Sequence, residues 1–285
     1  MALWKPSNLS ATLTCWYLPE NTTTIEAGLS DGVAVATWVN QQSPIVGELV
    51  QITSSRRPTL LESTLNGHGR VKFDGSDIVS DGDISDLDVG TGDIWFAIVF
   101  KSNDTSGVQI PFEKDHQKFG IVIQSDGDLE FRLGGPGSSN RAEQTAGNWS
   151  RTGFIIASAS RVSSTINAFI DGEAANVTGV TNTQSISSSS VLDVGGRAAA
   201  AAGKLDGEMC ELIIGGGTIT EAELVEVNGY LAAKFGLSGN LPATHKYKSF
   251  APAVGLHGVH NQDLIGELAL DVSGPLVSDT LAGAV

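Results

Sequence analysis

Carboxylates are the side chains in this sequence with the most direct chemistry. Glycoside hydrolysis needs two carboxyl groups, one that attacks or stabilises and one that donates a proton. In one class of glycosidases a strand that reads Glu-x-Asp-x-x-Glu supplies both, and the nearest stretch here, Glu208-Met209-Cys210-Glu211, lacks the Asp and the spacing. The sequence also lacks a Gly-x-Ser-x-Gly elbow, a phosphate loop and a dinucleotide fingerprint. It therefore predicts a protein that is not an enzyme.

A run of aspartates could instead bind a cation, because carboxylate oxygens are the hard ligands that Ca²⁺ prefers. Asp81, Asp83 and Asp86 are the candidate metal ligands, with Asp88 in the same run. The run does not match an EF-hand loop, and a solvated acidic loop is the alternative interpretation. Ca²⁺ is thus a candidate cofactor, and the sequence points to no other.

One tryptophan lies in a segment typical of an exposed turn. Trp149 occurs in Gly147-Asn148-Trp149-Ser150, whereas the other tryptophans lie among apolar residues and are expected in the core. An aromatic face packs well against the C–H groups of a sugar ring. Trp149 is therefore a candidate sugar-binding residue, together with Asp126 and Asp128 in a nearby predicted turn.

The charge of the chain excludes several partners. Its formal charge is −15, and it contains no run of Lys or Arg. Nucleic-acid binding needs a basic face, so neither nucleic acid nor an anionic membrane is an expected partner. No segment is apolar for long enough to span a membrane, and no secretory signal is recognisable. Cys15 and Cys210 lie among apolar residues and are expected to be buried thiols.

The elements that must position these residues are mostly short strands. Ile94–Phe100 is apolar throughout and predicts a buried strand. Residues 119–124 and 129–133 flank an Asp-Gly turn, which predicts a hairpin whose second arm alternates between a core face and a water face. Asp171-Gly172 predicts a second hairpin after Thr165–Ile170. In Glu208–Ile214, strict alternation predicts Cys210, Leu212 and Ile214 on one face.

A single helix signal follows the strands. Thr220 and Glu223 have the spacing of a capping box, and Gly236 is a natural C-terminal stop. Between them, apolar residues recur at helical spacing, namely Leu224, Val227, Leu231 and Phe235. The predicted helix should bury this stripe against the sandwich.

The domain boundaries follow from this pattern. Residues 1–12 form an N-terminal segment, 13–241 the sandwich, and 242–285 a C-terminal extension for docking to a subunit or particle. The extension carries apolar residues that need a covering surface, namely Leu264, Ile265, Leu268 and Leu270, and these are the candidate assembly residues. A disordered terminus is the alternative.

The ordered motifs resemble the laminin-G-like and concanavalin A-like jelly-roll domains found in bacterial and bacteriophage surface proteins. The resemblance covers about residues 13–237 and implies an all-β, antiparallel jelly-roll β-sandwich with one C-terminal helix. The motifs that carry it are Trp38 after Gly-Val-Ala-Val-Ala, Arg57-Pro58, Leu65-Asn66-Gly67, Val71–Asp77, Phe169–Gly172, Val194-Gly195-Gly196, Leu205–Glu208 and Leu224–Leu237.

Fold does not fix function, because this sandwich serves lectins, glucanases and structural proteins. The resemblance to phage proteins implies a non-enzymatic virion structural protein on the particle surface, either a capsid decoration or a tail-associated subunit. Its partners would be other virion proteins and copies of itself, with a trimer as one expected form. The alternative is a carbohydrate-binding adhesin that recognises host surface glycans.

Overall fold

The computed structural model describes residues 4–19, 31–42, 47–104, 106–116, 118–134, 141–198 and 203–252. Within these ranges the chain forms two antiparallel β-sheets and one α-helix. The two sheets enclose a shared apolar core. The predicted jelly-roll sandwich with a single C-terminal helix is therefore confirmed.

The elements of the described residues include seventeen strands. They are β1 (Cys15–Tyr17), β2 (Thr37–Trp38), β3 (Leu49–Val50), β4 (Thr59–Leu65), β5 (His68–Asp74), β6 (Val79–Ser80), β7 (Ile94–Ser102), β8 (Gln109–Lys114), β9 (Phe119–Ile123), β10 (Leu129–Leu133), β11 (Ala142–Gln144), β12 (Ile155–Val162), β13 (Thr165–Ile170), β14 (Glu173–Ala174), β15 (Val180–Thr181), β16 (Leu192–Val194), β17 (Asp206–Gly216) and the helix α1 (Glu221–Phe235).

We call the two sheets the back sheet and the front sheet. The back sheet has the order β14-β13-β12-β7-β17-β5-β4, with β1 paired to β17 and β15 paired to β13. The front sheet has the order β11-β10-β9-β8-β16-β6-β3-β2. Neighbours such as β7 and β17, or β8 and β16, are far apart in sequence, so the chain crosses repeatedly between the sheets.

Both predicted hairpins are present. β9 pairs with β10 and β13 pairs with β14, each antiparallel across an Asp-Gly turn. Asp171 and Gly172 have φ of 50° and 79°, the left-handed values that a tight two-residue turn requires. The turns fix the register of their arms, so the alternation of β10 determines which side chains face water.

Aromatic rings fill the space between the sheets. Phe96 of β7 lies against three phenylalanines of the front sheet, at centroid distances of 4.9 Å to Phe112, 5.9 Å to Phe119 and 6.3 Å to Phe131. Edge-on and offset packing of this kind adds to the gain from burial. The inward residues of β8, β9 and β10 are thus committed to the core, and their neighbours along each strand must point outward.

The helix α1 lies on the outer face of the back sheet. Thr220 caps it, and Glu223 completes the predicted capping box; Gly236 ends it with φ of 70°. The predicted apolar stripe is buried against back-sheet residues that include Trp95 and Ile213. No helix in the described part of the chain is long and apolar enough to cross a membrane.

A β-bulge corrects one prediction about β17. The pairing with β7 shifts between Met209 and Glu211, so one extra residue enters the strand there. Cys210 therefore faces α1 with Ile213, whereas Leu212 and Ile214 face the inter-sheet core. Both cysteines are free and buried as predicted, and burial raises the pKa of the Cys15 thiol to about 12.

Residues 242–252 pack on the helix. Tyr247 is buried, its hydroxyl donates to Glu226 Oε1 at 3.1 Å, and its ring lies over Gly229 of α1. A Cβ at position 229 would lie 2.6 Å from the Cβ of Tyr247, so glycine is required for this approach. Trp4 N donates to Pro252 O at 3.3 Å, which joins this segment to the N-terminal residues.

Candidate functional site

A depression of about 500 Å³ lies on the outer face of the front sheet. Its size is within the range typical of small-molecule sites. Apolar residues and ionisable side chains both contribute to its lining, which consists of Val108, Ile110, His116, Val122, Gln124, Asp126, Glu130, Arg132, Arg141, Arg197 and Gly203.

The strand period places these side chains on one face. In β10, Leu129, Phe131 and Leu133 belong to the core, so Glu130 and Arg132 point to the opposite side. Val122 is the outward residue between Ile121 and Ile123 of β9. The β9–β10 turn adds Asp126, and the residues next to β11 and β16 add Arg141 and Arg197. The depression therefore collects side chains from β8, β9 and β10 and from residues next to β11 and β16.

Glu130 is the central anion of the depression. Arg132 donates to Glu130 Oε2 through Nε at 3.0 Å and through Nη2 at 2.7 Å. Arg141 Nη2 lies 2.7 Å from Glu130 Oε1. Both carboxylate oxygens are thus bound by guanidinium groups, which compensates for the burial of the charge.

A second ion pair holds Arg197. Its Nε and Nη2 both bind the buried carboxylate of Glu113, the latter at 2.9 Å from Oε2. Two bonds from one planar guanidinium fix its orientation. Arg132 and Arg197 are therefore each fixed by a bidentate contact before any ligand binds.

Two further titratable groups adjoin these pairs. Burial, then the nearby charge of Asp128, raises the pKa of Glu143, which lies directly opposite Glu130 on the neighbouring strand. Burial, then the charge of Arg197, lowers the pKa of His116.

The structure brings the three predicted sugar-binding residues to one end of the front sheet. Asp126 lines the depression. Asp128 Oδ1 accepts from Ala146 N at 2.7 Å, which ties the β9–β10 turn to the segment before Trp149. Trp149 donates from Nε1 to Gly127 O at 3.0 Å, and its ring packs against the core rather than lining the depression. Asp128 and Trp149 therefore support the turn.

The predicted calcium ligands do not converge. Asp83 and Asp88 lie 2.9 Å and 2.6 Å from Lys114 Nζ, so a buried lysine occupies the position between them. Asp81 Oδ1 accepts from Gly82 N at 2.5 Å, and Asp86 is exposed in the next turn. In the described ranges, no group of three or more His, Cys, Asp or Glu side chains could hold a metal ion.

The candidate assembly residues, Leu264, Ile265, Leu268 and Leu270, lie outside the described residues. Sequence reasoning, for its part, missed the arginines of the depression. A signal existed for one of them, because the alternation in residues 129–133 assigns Arg132 to the water face together with Glu130. Arg141 and Arg197 come from other strands, and no local pattern links them to β10.

Comparison with known proteins finds no match to a protein-family model and none to a curated protein sequence. Solved structures do match. A Trypanosoma rangeli sialidase in complex with 2,3-difluoro-KDN has a TM-score of 0.50 at 8% identity, over 75% of this chain and 32% of the sialidase. The same sialidase as a covalent intermediate with difluorosialic acid gives 0.50 and 8%, over 79% and 35%. The chain thus spans about a third of these structures.

A third match is the binding domain of botulinum neurotoxin DC in complex with SialylT. It has a TM-score of 0.46 at 12% identity, over 77% of this chain and 52% of that domain. At such identities the comparisons show the fold alone. The two sialidase matches support the β-sandwich fold, and none of the three gives a link to bacteriophages.

The matches to sialidases correct the prediction that this chain is not an enzyme. Structures that contain this type of sandwich include enzymes, so the missing Glu-x-Asp-x-x-Glu string was not sufficient grounds to exclude one. The physical reason is that a carboxylate pair need not lie on one strand. Glu130 and Glu143 face each other across β10 and β11, where a search along a single strand cannot find them.

Proposed function

We propose that this chain is a carbohydrate-binding module whose ligand occupies the depression on the front sheet. The observation that carries the proposal is the composition of that lining. Arginines donate, while Asp126 and the Gln124 carbonyl accept, all around one open depression. A sugar hydroxyl both donates and accepts hydrogen bonds, so a lining with both kinds of group suits a saccharide.

The depression also provides a surface for the apolar part of a sugar. Val108, Ile110 and Val122 line it beside the ionisable groups, and Gly203 lies against Ile110. The C–H groups of a pyranose ring gain from burial against such residues. The ligand would therefore rest on aliphatic side chains, and not on the tryptophan expected from the sequence.

Preorganisation favours binding at this site. Because Glu113 and Glu130 hold the arginines through several bonds, these long side chains lose little further freedom when a ligand binds. An exposed arginine without such partners would have to be ordered by the ligand itself. The ion pairs thus position the donors of the depression in advance.

A glycan array with the full chain tests the proposal, run with and without Ca²⁺. Gln124→Ala removes a lining side chain without a described hydrogen bond, and should weaken binding several-fold to tenfold. Gln42→Ala, beyond β2 at the far edge of the front sheet, is the matched control and should bind normally. A blank array under both conditions, or equal binding by both variants, would overturn the proposal.

A place on the surface of a bacteriophage particle is a second proposal, which rests on the sequence resemblance. We expect docking through the extension, and the packing of residues 242–252 on α1 sets where to truncate it. Light scattering after size-exclusion chromatography should show an oligomer for the full chain and a monomer for residues 1–252. If both chains have the same number of subunits, docking through Leu264, Ile265, Leu268 and Leu270 is refuted.

A further inference from the structure

The arginines of the depression present their charge to solvent, whereas their carboxylate partners do not. The Glu130 side chain is 1% exposed and that of Glu113 is 4% exposed, but Arg141 and Arg197 are 25% and 22% exposed. Arg132 is 11% exposed. A molecule that enters the depression therefore meets guanidinium groups first, with the compensating anions beneath them.

Each of these guanidinium groups retains hydrogen-bonding capacity. Arg132, Arg141 and Arg197 bind their glutamates through Nε and Nη2. Their Nη1 groups make no hydrogen bond to any residue in the described ranges. A guanidinium group has five N–H donors and forms its strongest bonds with carboxylate or phosphate oxygens. Three such groups around one depression leave several charge-assisted donors for a ligand.

The cations of this site cluster in a chain whose overall charge is −15. The lining contains three arginines with Asp126 and Glu130, while Glu113 and Glu143 balance Arg197 and Arg141 from beside the lining. Lys204 adds a further cation near Arg197, since its Nζ donates to Arg197 O at 2.8 Å. The negative charge of the whole chain already favours solubility, so these cations are not needed for it. Their clustering at the depression therefore favours a role in ligand binding.

We infer that the saccharide bound in this depression carries a carboxylate group, which Arg132, Arg141 and Arg197 hold through their Nη1 groups. The inference rests on the proposed carbohydrate-binding function and names the ligand class for that site. A uronic acid or another carboxylated sugar meets the requirement. The planar carboxylate matches the guanidinium fork. The hydroxyl groups of the same sugar then reach Gln124 and Asp126.

Two probes that share the sugar chain and differ in this charge provide the test, namely an oligogalacturonate and its methyl ester, which replaces the charge with a methyl group. Isothermal titration of the full chain should show the acid binding about tenfold or more tightly than the ester. Arg141→Gln should remove most of this preference. Lys72→Gln, which makes the same change of charge on the exposed face of β5 in the back sheet, should leave the preference intact.

His116 gives a readout on the unmodified protein, so the test does not depend on an arginine variant that folds. A bound carboxylate stabilises the imidazolium, and we expect the NMR titration midpoint of His116 to rise with the acid and not with the ester. His116→Gln assigns the resonance. Equal affinity for acid and ester would overturn the inference and leave the proposed function standing. If neither probe binds nor moves His116, the inference fails, and the glycan array then decides the proposed function separately.

Discussion

The outer face of each sheet carries a buried carboxylate bound by cationic side chains, but the two carboxylates have different surroundings. On the back sheet, buried Glu211 accepts from Trp16 Nε1 at 2.6 Å and from Lys234 Nζ at 2.9 Å, and α1 lies over it. On the front sheet, buried Glu130 binds Arg132 and Arg141, and Arg141 is 25% exposed whereas Lys234 is 10% exposed. A carboxylate under cations is thus an anchor where a helix closes over it, and it prepares a binding surface where a cation stays open to solvent.

The largest effect that we predict concerns the covered anchor. Glu211→Ala should lower the free energy of unfolding by about 3–5 kcal/mol, because it removes from a closed interface the carboxylate that accepts from Lys234 and from the Trp16 indole N–H. Urea unfolding followed by far-UV circular dichroism measures it. A loss below 1 kcal/mol would mean that the contact does not anchor α1.

The matched change on the open face should cost less. Glu130→Ala is expected to lower the free energy of unfolding by about 1–2 kcal/mol, since the more exposed Arg141 can turn toward water once its partner is removed. Saccharide binding should nevertheless be lost, because the arginines are no longer fixed. Equal destabilisation by the two alanine variants would remove the distinction between the covered and the open face.

The contact between Tyr247 and α1 provides a second test of the covered face. Gly229→Ala should destabilise the protein by about 1–3 kcal/mol, because the new Cβ displaces Tyr247, and this outweighs a gain of about 1 kcal/mol in helix propensity. Hydrogen exchange should show the loss concentrated in residues 242–252. Ala232→Gly, which removes a buried methyl group from the same helix, serves as a control and should leave exchange in that segment unchanged.

Local patterns in the sequence predicted much of this architecture. The capping box at Thr220, the two Asp-Gly hairpins and the apolar run of β7 each depend on neighbours within a few residues, and all are present. The β17 bulge was missed because alternation assumes a regular strand, and the extra residue at Met209–Glu211 arises from pairing with distant β7.

The candidate site was less predictable than the fold. Asp126 was identified because it lies in an Asp-Gly turn, which has a recognisable sequence. Arg141 and Arg197 are 56 residues apart along the chain, and only the strand order β11-β10-β9-β8-β16 brings them to one depression. The pairing of Glu130 with Glu143 likewise depends on cross-strand register. A site assembled on the face of a sheet has no sequence motif, because the period of two fixes which face a residue takes but not which strands are neighbours.

The last effect is a gain in stability, and it concerns a carboxylate on the covered side that has no described cation partner. Asp171 accepts from Ile156 N at 2.8 Å, and burial raises its pKa from 3.8 to about 6. At a pH between these two values, the Asp171 carboxyl is ionised in the unfolded chain and protonated in the folded chain. The contribution of this group to stability is therefore lost as the pH rises through about 6.

Asp171→Asn should therefore stabilise the protein at pH 7 by about 1–2 kcal/mol, less than the full shift implies because the carboxyl is partly exposed. The asparagine oxygen can still accept from Ile156 N, and Asn-Gly suits the left-handed turn. Below about pH 4 the gain should vanish, which thermal melts across this range would reveal. A gain that stays the same below pH 4 would mean that the buried carboxylate is not its cause.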